Sequence, residues 1–380
     1  MDEKTYHNKK TTMKNKTKLM IALFLIAVFF SCNGQQKSEN EDTKFDFEQI
    51  YTYGLQGDMT RVFKLLDSVP DEKLTSEQIN LKEKFYIRFR KQDEKYNYKT
   101  TDTLAVAVLK LFQSYWRTVV LDNKAIEKEN TELKNKFGDL LVANKTVSNE
   151  IPRDALNENI RGYLTDLLTQ KGFYSNAMDK TQNLYELFLW AKQTEKTYDI
   201  KLPESDINVK VVFMEDFISK GWFHYVTFGK TYAGGWATKD ALYCLKEDYD
   251  ISSETFKVSY LKHEAQHFAD YKSFPLLKQT DLEYRAKLTE LSYAKEIIYD
   301  LISVFIRRSD KNKELAHQFA QYCLIRNLSK KIFNEAFVSD MDRWRKVSHQ
   351  EINIAAVELI KLHTLELKNV GAESVTKFIE

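Results

Sequence analysis

Apolar residues recur at helical spacing through most of the chain, and this pattern predicts a mainly helical protein. Residues 45 to 91 carry it as a helical hairpin and a third helix, and it continues through residues 102 to 145 and 152 to 197. It returns after about residue 280 and runs to the end of the chain, with short breaks. We therefore expect helical parts on both sides of a central region of different character.

In that central region the pattern of apolar residues has the period of a β-strand. Residues 207 to 213 alternate between apolar and polar and are rich in β-branched side chains, and residues 223 to 229 form a second such segment. Residues 235 to 245 form a third, long enough to be one side of a cleft. The predicted fold class is α+β, mainly helical, with a small antiparallel sheet next to the helix that follows.

That helix is predicted over residues 252 to 272, where no proline or glycine interrupts the pattern, and it contains an H-E-x-x-H sequence. His263 and His267 are four residues apart, so they lie on one helix face and both imidazoles can reach one metal ion. Glu264 directly follows the first histidine. From there its carboxylate can hold a metal-bound water and take its proton, as the general base of metal-assisted hydrolysis.

A catalytic zinc ion needs a third protein ligand, and two glutamates of the next helix are candidates. Glu283 follows His267 by 16 positions, and the short loop between them favours two adjacent helices. Thr280-x-x-Glu283 also fits a capping box, in which Glu283 would serve only its own helix. Glu290 is the alternative, either as the ligand itself or as the acceptor that orients a ligand histidine.

The order of sheet, H-E-x-x-H helix, turn and glutamate helix resembles the gluzincin metallopeptidases, over about residues 207 to 306. The resemblance implies one zinc ion bound by His263, His267 and Glu283, with Glu264 as the base. One departure is Lys287, which stands where thermolysin-like members carry an acid.

The same resemblance assigns a role to the third strand. In gluzincins an edge strand beside the zinc binds the substrate backbone by strand addition. Gly235, Trp236 and Ala237 are the substrate-binding residues that this implies, because small residues would let a peptide approach closely. An ordinary hairpin turn is the alternative.

The family stabilises the oxyanion with a Tyr or His from outside the motif. Three candidates remain open here: Tyr293, His317 and His349.

Composition and charge limit the classes of partner. The 57 basic and 55 acidic residues are well mixed and give a net charge of +2, so nucleic acid is not an expected partner. Only 11 glycines and 4 prolines in 380 residues favour long helices. Of the three cysteines, Cys244 and Cys323 fit no metal-ligand spacing, and they either pair or remain free thiols.

The N-terminus has the pattern of an export signal. Lysines precede an apolar run from residue 19 to 30, too short to span a bilayer. Ser31-Cys32 then resembles the lipobox of bacterial lipoproteins, which implies that Cys32 is lipidated and anchors the protein to a membrane. The expected location is the bacterial cell envelope, at the outer membrane or cell surface or facing the periplasm. An uncleaved membrane anchor is the alternative.

These patterns divide the chain into five predicted parts: a signal peptide (1–32), a polar tether (33–43), a helical N-terminal domain (44–200), a zinc-peptidase core (201–306) and a helical C-terminal part (307–380). The predicted function is a membrane-anchored zinc-dependent peptidase acting on a peptide or protein, by endo- or exopeptidase action. The alternative is a helical lipoprotein scaffold or binding module whose metal site is structural or absent.

Overall fold

The protein is α+β and mainly helical, with one five-stranded sheet, as the sequence predicts. The computed structural model describes residues 45, 47–121, 126–181, 183–238 and 240–379. The predicted signal peptide, the predicted lipidation site Cys32 and the predicted polar tether lie outside these residues.

Helices precede the sheet, as predicted. They are α1 (Phe47–Leu55), α2 (Met59–Ser68), α3 (Ser76–Phe85), α4 (Thr103–Leu121), α5 (Ile126–Ala143), α6 (Arg153–Glu158) and α7 (Ile160–Gln170). Helix α4 is central, because its face with Val108, Phe112 and Trp116 is buried in the N-terminal core. Among the described residues it is also the one helix that is long and apolar enough to cross a membrane by length and composition alone.

The sheet combines antiparallel and parallel pairs. Its strands are β1 (Tyr174–Thr181), β2 (Leu184–Lys201), β3 (Asp206–Lys220), β4 (Gly235–Ala237) and β5 (Leu242–Leu245), in the spatial order β1-β2-β3-β5-β4. Strands β3 and β5 run parallel, with Val211 opposite Leu242, and the other three pairs are antiparallel. The prediction of an antiparallel sheet is therefore wrong for one pair. The 21 residues between β3 and β5 are long enough to make the parallel crossover.

Strands β1 and β2 replace a predicted helical segment, since helix was expected through residue 197. The apolar run that opens β2 is buried on both faces of the sheet. Leu187 and Leu189 pack in the N-terminal core, whereas Phe188 and Trp190 join an aromatic cluster on the opposite face. A strand buried on both sides has no alternation of apolar and polar residues, so its pattern does not differ from that of a buried helix.

The strand predicted over residues 223 to 229 is also wrong, since helix α8 (Gly221–Val226) occupies this segment. Gly221 has a φ of +80°, and the Trp222 N–H donates to the carboxylate of Glu186 on β2, 3.1 Å away. The backbone is thus turned into a helix by a contact with a distant strand, against the local preference of the sequence.

The predicted third strand is divided into β4 and β5, which form a hairpin. The Thr238 N–H donates to the Ala241 carbonyl oxygen at 2.9 Å and closes the turn. Strand β4 lies at the edge of the sheet, which is the position a strand needs to bind a substrate backbone by strand addition.

The C-terminal part is helical. It contains α9 (His263–Ser273), α10 (Gln279–Tyr293), α11 (Ile298–Arg307), α12 (Ala316–Phe333), α13 (Met341–Trp344) and α14 (His349–Val370). The helical pattern that the sequence shows after about residue 280 is broken between α10 and α11. The carboxylate of Glu254 accepts the backbone N–H groups of Lys295 and Ile297 in the break, both at 2.9 Å.

The helix that carries the histidines begins with a π-helix, Thr255–Lys262, which continues directly into α9. A regular helix over residues 252 to 272 would place Val258, Leu261 and Phe268 in a single apolar stripe. In the structure Val258 packs in the C-terminal core, whereas Leu261 and Phe268 pack against the sheet. The stripe is therefore shared between two cores.

Candidate metal centre

The centre lies between α9 and α10, which a buried polar network fixes side by side. The Arg285 guanidinium on α10 donates to both carboxylate oxygens of Asp270 on α9, at 2.9 and 3.0 Å. It also donates to the Thr364 hydroxyl on α14 at 2.8 Å, and Gln266 donates to Asp270 at 2.9 Å. All four residues are buried. Because each partner comes from a packed helix, the relative position of α9 and α10 is well defined.

Three predicted ligands meet at this position. His263, His267 and Glu283 are buried, and each offers one ligand atom within 4.8 Å of the others. The two histidine Nε2 atoms are 3.1 Å apart. His267 Nε2 lies 3.4 Å from Glu283 Oε1, and His263 Nε2 lies 3.9 Å from Glu283 Oε2. Ligands of a tetrahedral zinc ion are about 3.3–3.5 Å apart, so this spacing suits a single ion.

Two buried carboxylate oxygens of the site have no hydrogen-bond partner among the described residues: Glu283 Oε1 and Glu264 Oε2. Buried polar atoms are nearly always paired, so two unpaired oxygens in one site call for an explanation. Glu283 Oε1 faces His267, the position that a ligand oxygen would take. Two imidazoles and one carboxylate are also a donor set that zinc prefers, so the residues present fit this metal.

Glu290 occupies the other side of His263. Its Oε1 lies 2.7 Å from His263 Nδ1, and both side chains are buried. A carboxylate on Nδ1 fixes the imidazole tautomer and turns Nε2 toward His267. Of the two glutamates that the sequence left open, Glu283 therefore lies with the histidine Nε2 atoms and Glu290 orients one of them. His267 Nδ1 has no such partner among the described residues.

The capping-box alternative for Glu283 is wrong. Helix α10 begins one residue before Thr280, its N-cap is Lys278, and no side-chain cap hydrogen bond forms there. Thr280 is therefore inside the first turn. The Glu283 side chain points to the histidines and away from its own helix end.

Two basic side chains contact the other oxygen of Glu283. His317 Nδ1 lies 2.9 Å from Glu283 Oε2, and the Lys287 ammonium donates to the same oxygen. Burial alone would raise the pKa of Glu283, but the charges of His317 and Lys287 lower it well below its usual value. The sequence noted Lys287 only as a departure from the thermolysin pattern. Its position one turn after Glu283 was the available signal.

The three residues proposed to stabilise the oxyanion differ in their distance from the candidate ligands. His317 alone of the three contacts a predicted ligand, and its other ring nitrogen lies 3.0 Å from Gln279 Nε2. Tyr293 ends α10 with the Lys262 ammonium over its ring, and His349 begins α14. Tyr271, four residues after His267, stacks on His267 at 6.5 Å between ring centroids. Its spacing from His267 is the signal that pointed to it.

Burial dominates the electrostatics of the centre. It raises the pKa of Glu264 to about 7 and lowers the pKa of His267 to about 4. For His263, burial opposes protonation, but the Glu290 carboxylate raises its pKa. His267 is thus neutral and Glu283 ionised at neutral pH, the states in which these groups bind a metal.

The predicted substrate-binding residues lie in the edge strand β4 but are themselves buried. A methyl group on Gly235 would come within 2.4 Å of the Tyr243 carbonyl oxygen and 2.6 Å of the Tyr260 ring. The absence of a side chain at Gly235 thus makes room for this protein's own residues, not for a peptide as the sequence analysis assumed. Trp236 faces an aromatic cluster and Ala237 faces the core beside α9.

Cys244 and Cys323 are both buried free thiols. They belong to different cores, which answers the question that the sequence left open.

Comparisons of the chain with family models, curated proteins and solved structures find no match.

Proposed function

We propose that this protein is a zinc-dependent peptidase, anchored to a membrane of the bacterial envelope through Cys32. The observation that carries the proposal is the buried group of His263, His267 and Glu283, whose ligand atoms lie within 4.8 Å of one another, with Glu264 directly beside them. The resemblance of the sequence to the gluzincin metallopeptidases also supports the proposal.

Each residue has a separate task in the proposed reaction. A zinc ion held by the two histidines and Glu283 would polarise the scissile carbonyl and make a water molecule more acidic. Glu264 Oε2, which is buried and has no hydrogen-bond partner among the described residues, accepts the proton as the water oxygen bonds to the carbonyl carbon. When the C–N bond breaks, the same carboxyl group returns the proton to the leaving amine. Burial of Glu264 keeps bulk water from competing for its carboxylate.

Glu264 also distinguishes the proposal from the scaffold alternative. A purely structural zinc site needs four ligands and no base, and its carboxylates would be paired. Here Glu264, which adjoins the first histidine, is buried, and its Oε2 has no hydrogen-bond partner among the described residues. An unpaired buried carboxylate oxygen lowers stability. A role in the reaction would explain why the glutamate is kept at this position.

The test replaces Glu264 with glutamine, which keeps the shape of the side chain and removes the proton acceptor. Wild type and Glu264→Gln are incubated with a mixed peptide library, and products are identified by mass spectrometry. Zinc content is measured on the same samples. We expect about one zinc per chain in both proteins and a loss of turnover of at least ~100-fold in the variant.

Glu296→Gln is the matched control, because Glu296 is an exposed glutamate outside the centre. It should retain full activity and zinc. Undiminished cleavage by zinc-loaded Glu264→Gln would refute the mechanism. Zinc binding without cleavage by the wild type would favour the binding-module alternative, and a wild type that binds no zinc would refute the metal centre itself.

A further inference from the structure

A cavity of about 180 Å³ lies on the sheet, between the C-terminal half of α7 and strands β1, β2, β4 and β5. Its position separates it from the metal centre. Along β4 and β5, Ala237 and Leu242 face the core beside α9, while Trp236 and Tyr243 belong to the aromatic cluster of the opposite face. Because neighbouring residues of a strand point to opposite faces, the cavity and the metal centre lie on opposite sides of the sheet.

The walls of the cavity have an unusual composition. Four of the ten lining side chains are aromatic and the other six carry a hydroxyl or an amide group. Among the described residues that line it, none is charged and none is aliphatic. Typical binding sites for apolar ligands carry many aliphatic groups, and sites for ions carry charge. This wall suits a ligand that is neutral, has many hydroxyl groups and also presents flat C–H faces.

The aromatic walls form two stacked pairs. Tyr174 stacks on Trp190 with an interplanar angle of 18°, and Trp236 stacks on Tyr243 with an angle of 8°. The rings of Trp190 and Trp236 meet at 70°, with centroids 6.4 Å apart, so the two stacks form a corner. The face of an aromatic ring is electronegative and attracts the weakly positive C–H groups of a saturated ring.

One polar side chain of the wall has unused hydrogen-bonding capacity. Gln193 accepts a hydrogen bond from Trp190 Nε1 at 3.1 Å through its Oε1. That bond fixes the side-chain amide and leaves its two N–H donors on the Nε2 atom, which can reach a hydroxyl oxygen.

We propose that this cavity binds one ring of a neutral carbohydrate. The exposed ring of Tyr174, which stacks on Trp190, packs against the C–H face of the sugar, and the amide of Gln193 donates to its hydroxyl groups. A cavity of about 180 Å³ is smaller than the roughly 300–1,000 Å³ of a site for a drug-sized ligand, so it holds a single ring of a longer chain. This site is independent of the proposed peptidase centre.

The experiment uses the full-length protein in a detergent without a sugar head group. The probes are neutral tetrasaccharides of glucose, mannose, galactose and N-acetylglucosamine, titrated by isothermal calorimetry and by intrinsic tryptophan fluorescence. We expect at least one of them to bind with a Kd below about 1 mM. The peptide Gly-Phe-Gly serves as an aromatic probe without hydroxyl groups on its side chain.

Two variants locate the site. Tyr174→Ala removes an exposed ring (38% relative exposure), so the fold should tolerate it, and we expect affinity to fall at least about tenfold. Gln193→Glu keeps the acceptor for Trp190 and removes the amide donors, and it should also weaken binding. Tyr53→Ala, a partly buried tyrosine on α1, is the control and should bind as the wild type does.

No binding of any tetrasaccharide at 10 mM, on the order of ten times the expected Kd, would overturn the proposal. Binding that survives unchanged in both Tyr174→Ala and Gln193→Glu would place the sugar elsewhere and would equally overturn it. Tighter binding of Gly-Phe-Gly than of every sugar would make the cavity a site for aromatic side chains. Zinc content and peptidase activity do not enter these measurements, so their outcome is separate from that of the proposed function.

Discussion

Replacing Glu290 should weaken zinc binding without removing a ligand. Its carboxylate lies 2.7 Å from His263 Nδ1, on the side of the ring away from the other predicted ligands. Glu290→Ala leaves that nitrogen without an acceptor and frees the imidazole to change tautomer or rotate. The expected result is zinc retention reduced by roughly 10–100-fold, the usual effect of losing the carboxylate that supports a ligand histidine.

The energy of the lost hydrogen bond predicts a loss of zinc affinity of the same magnitude. Both side chains are buried, and a hydrogen bond to a charged group contributes about 1.5–3 kcal/mol. At about 1.4 kcal/mol for each factor of ten, this corresponds to between tenfold and somewhat more than 100-fold in affinity. Glu283→Ala removes a ligand oxygen and should therefore weaken retention more than Glu290→Ala does.

The measurement is a competition between the protein and a chromophoric chelator of known zinc affinity, at constant pH and ionic strength. Wild type, Glu290→Ala, Glu283→Ala and the control Glu296→Gln are compared, and circular dichroism confirms that each is folded. The control should match the wild type, because Glu296 is exposed.

The order of the affinities decides the assignment. A larger loss in Glu290→Ala than in Glu283→Ala would make Glu290 the ligand and Glu283 the supporting group. Wild-type affinity in Glu290→Ala would refute the idea that the His263 contact orients the ring.

Three further outcomes are expected. Gly235→Ala should lower the free energy of unfolding by about 1–3 kcal/mol in thermal denaturation, because the new methyl group meets the Tyr260 ring; an unchanged Tm would contradict this. Burial raises the pKa of Glu186 to about 8 from an ordinary 4.5, so the folded state holds this proton more tightly and stability falls as the pH rises from about 4.5 to 8. Glu186→Gln should flatten that decline, roughly 3–5 kcal/mol at most, in denaturant titrations at several pH values; an equally steep decline would exclude Glu186 as its cause. Cys32→Ala should release the protein from the membrane fraction or block its processing, and a variant that stays membrane-bound at unchanged gel mobility would contradict lipidation.

The parts of the site that follow from local geometry could be predicted from the sequence. His263 and His267 share a face because any helix places residues four apart in this way. The position of Glu283 near the histidines could be predicted because a short loop places the next helix beside the first. The contacts of Lys287 and His317 with Glu283 depend on how α12 packs on α10, which no local pattern specifies.

The fold was predicted best where elements have one buried face. Helices such as α4 and α11 bury one side each, and their periodicity is visible. The start of β2 is buried on both sides, with Leu187 in one core and Phe188 in another, so its apolar run predicted a helix. Helix α8 depends on the bond from Trp222 to Glu186, 36 positions away, and a short window of sequence could not contain that information.

The π-helix before His263 explains why the candidate metal centre lies at this position. A regular helix would have kept Val258 and Leu261 close to one face, since residues three apart are neighbours. In the π-helix Val258 packs in the C-terminal core and Leu261 packs against the sheet. The segment is thus held from two sides before α9 begins, and the remaining side of α9 faces α10. His263 is the first residue of α9, so the irregular segment sets the direction in which both histidines meet Glu283.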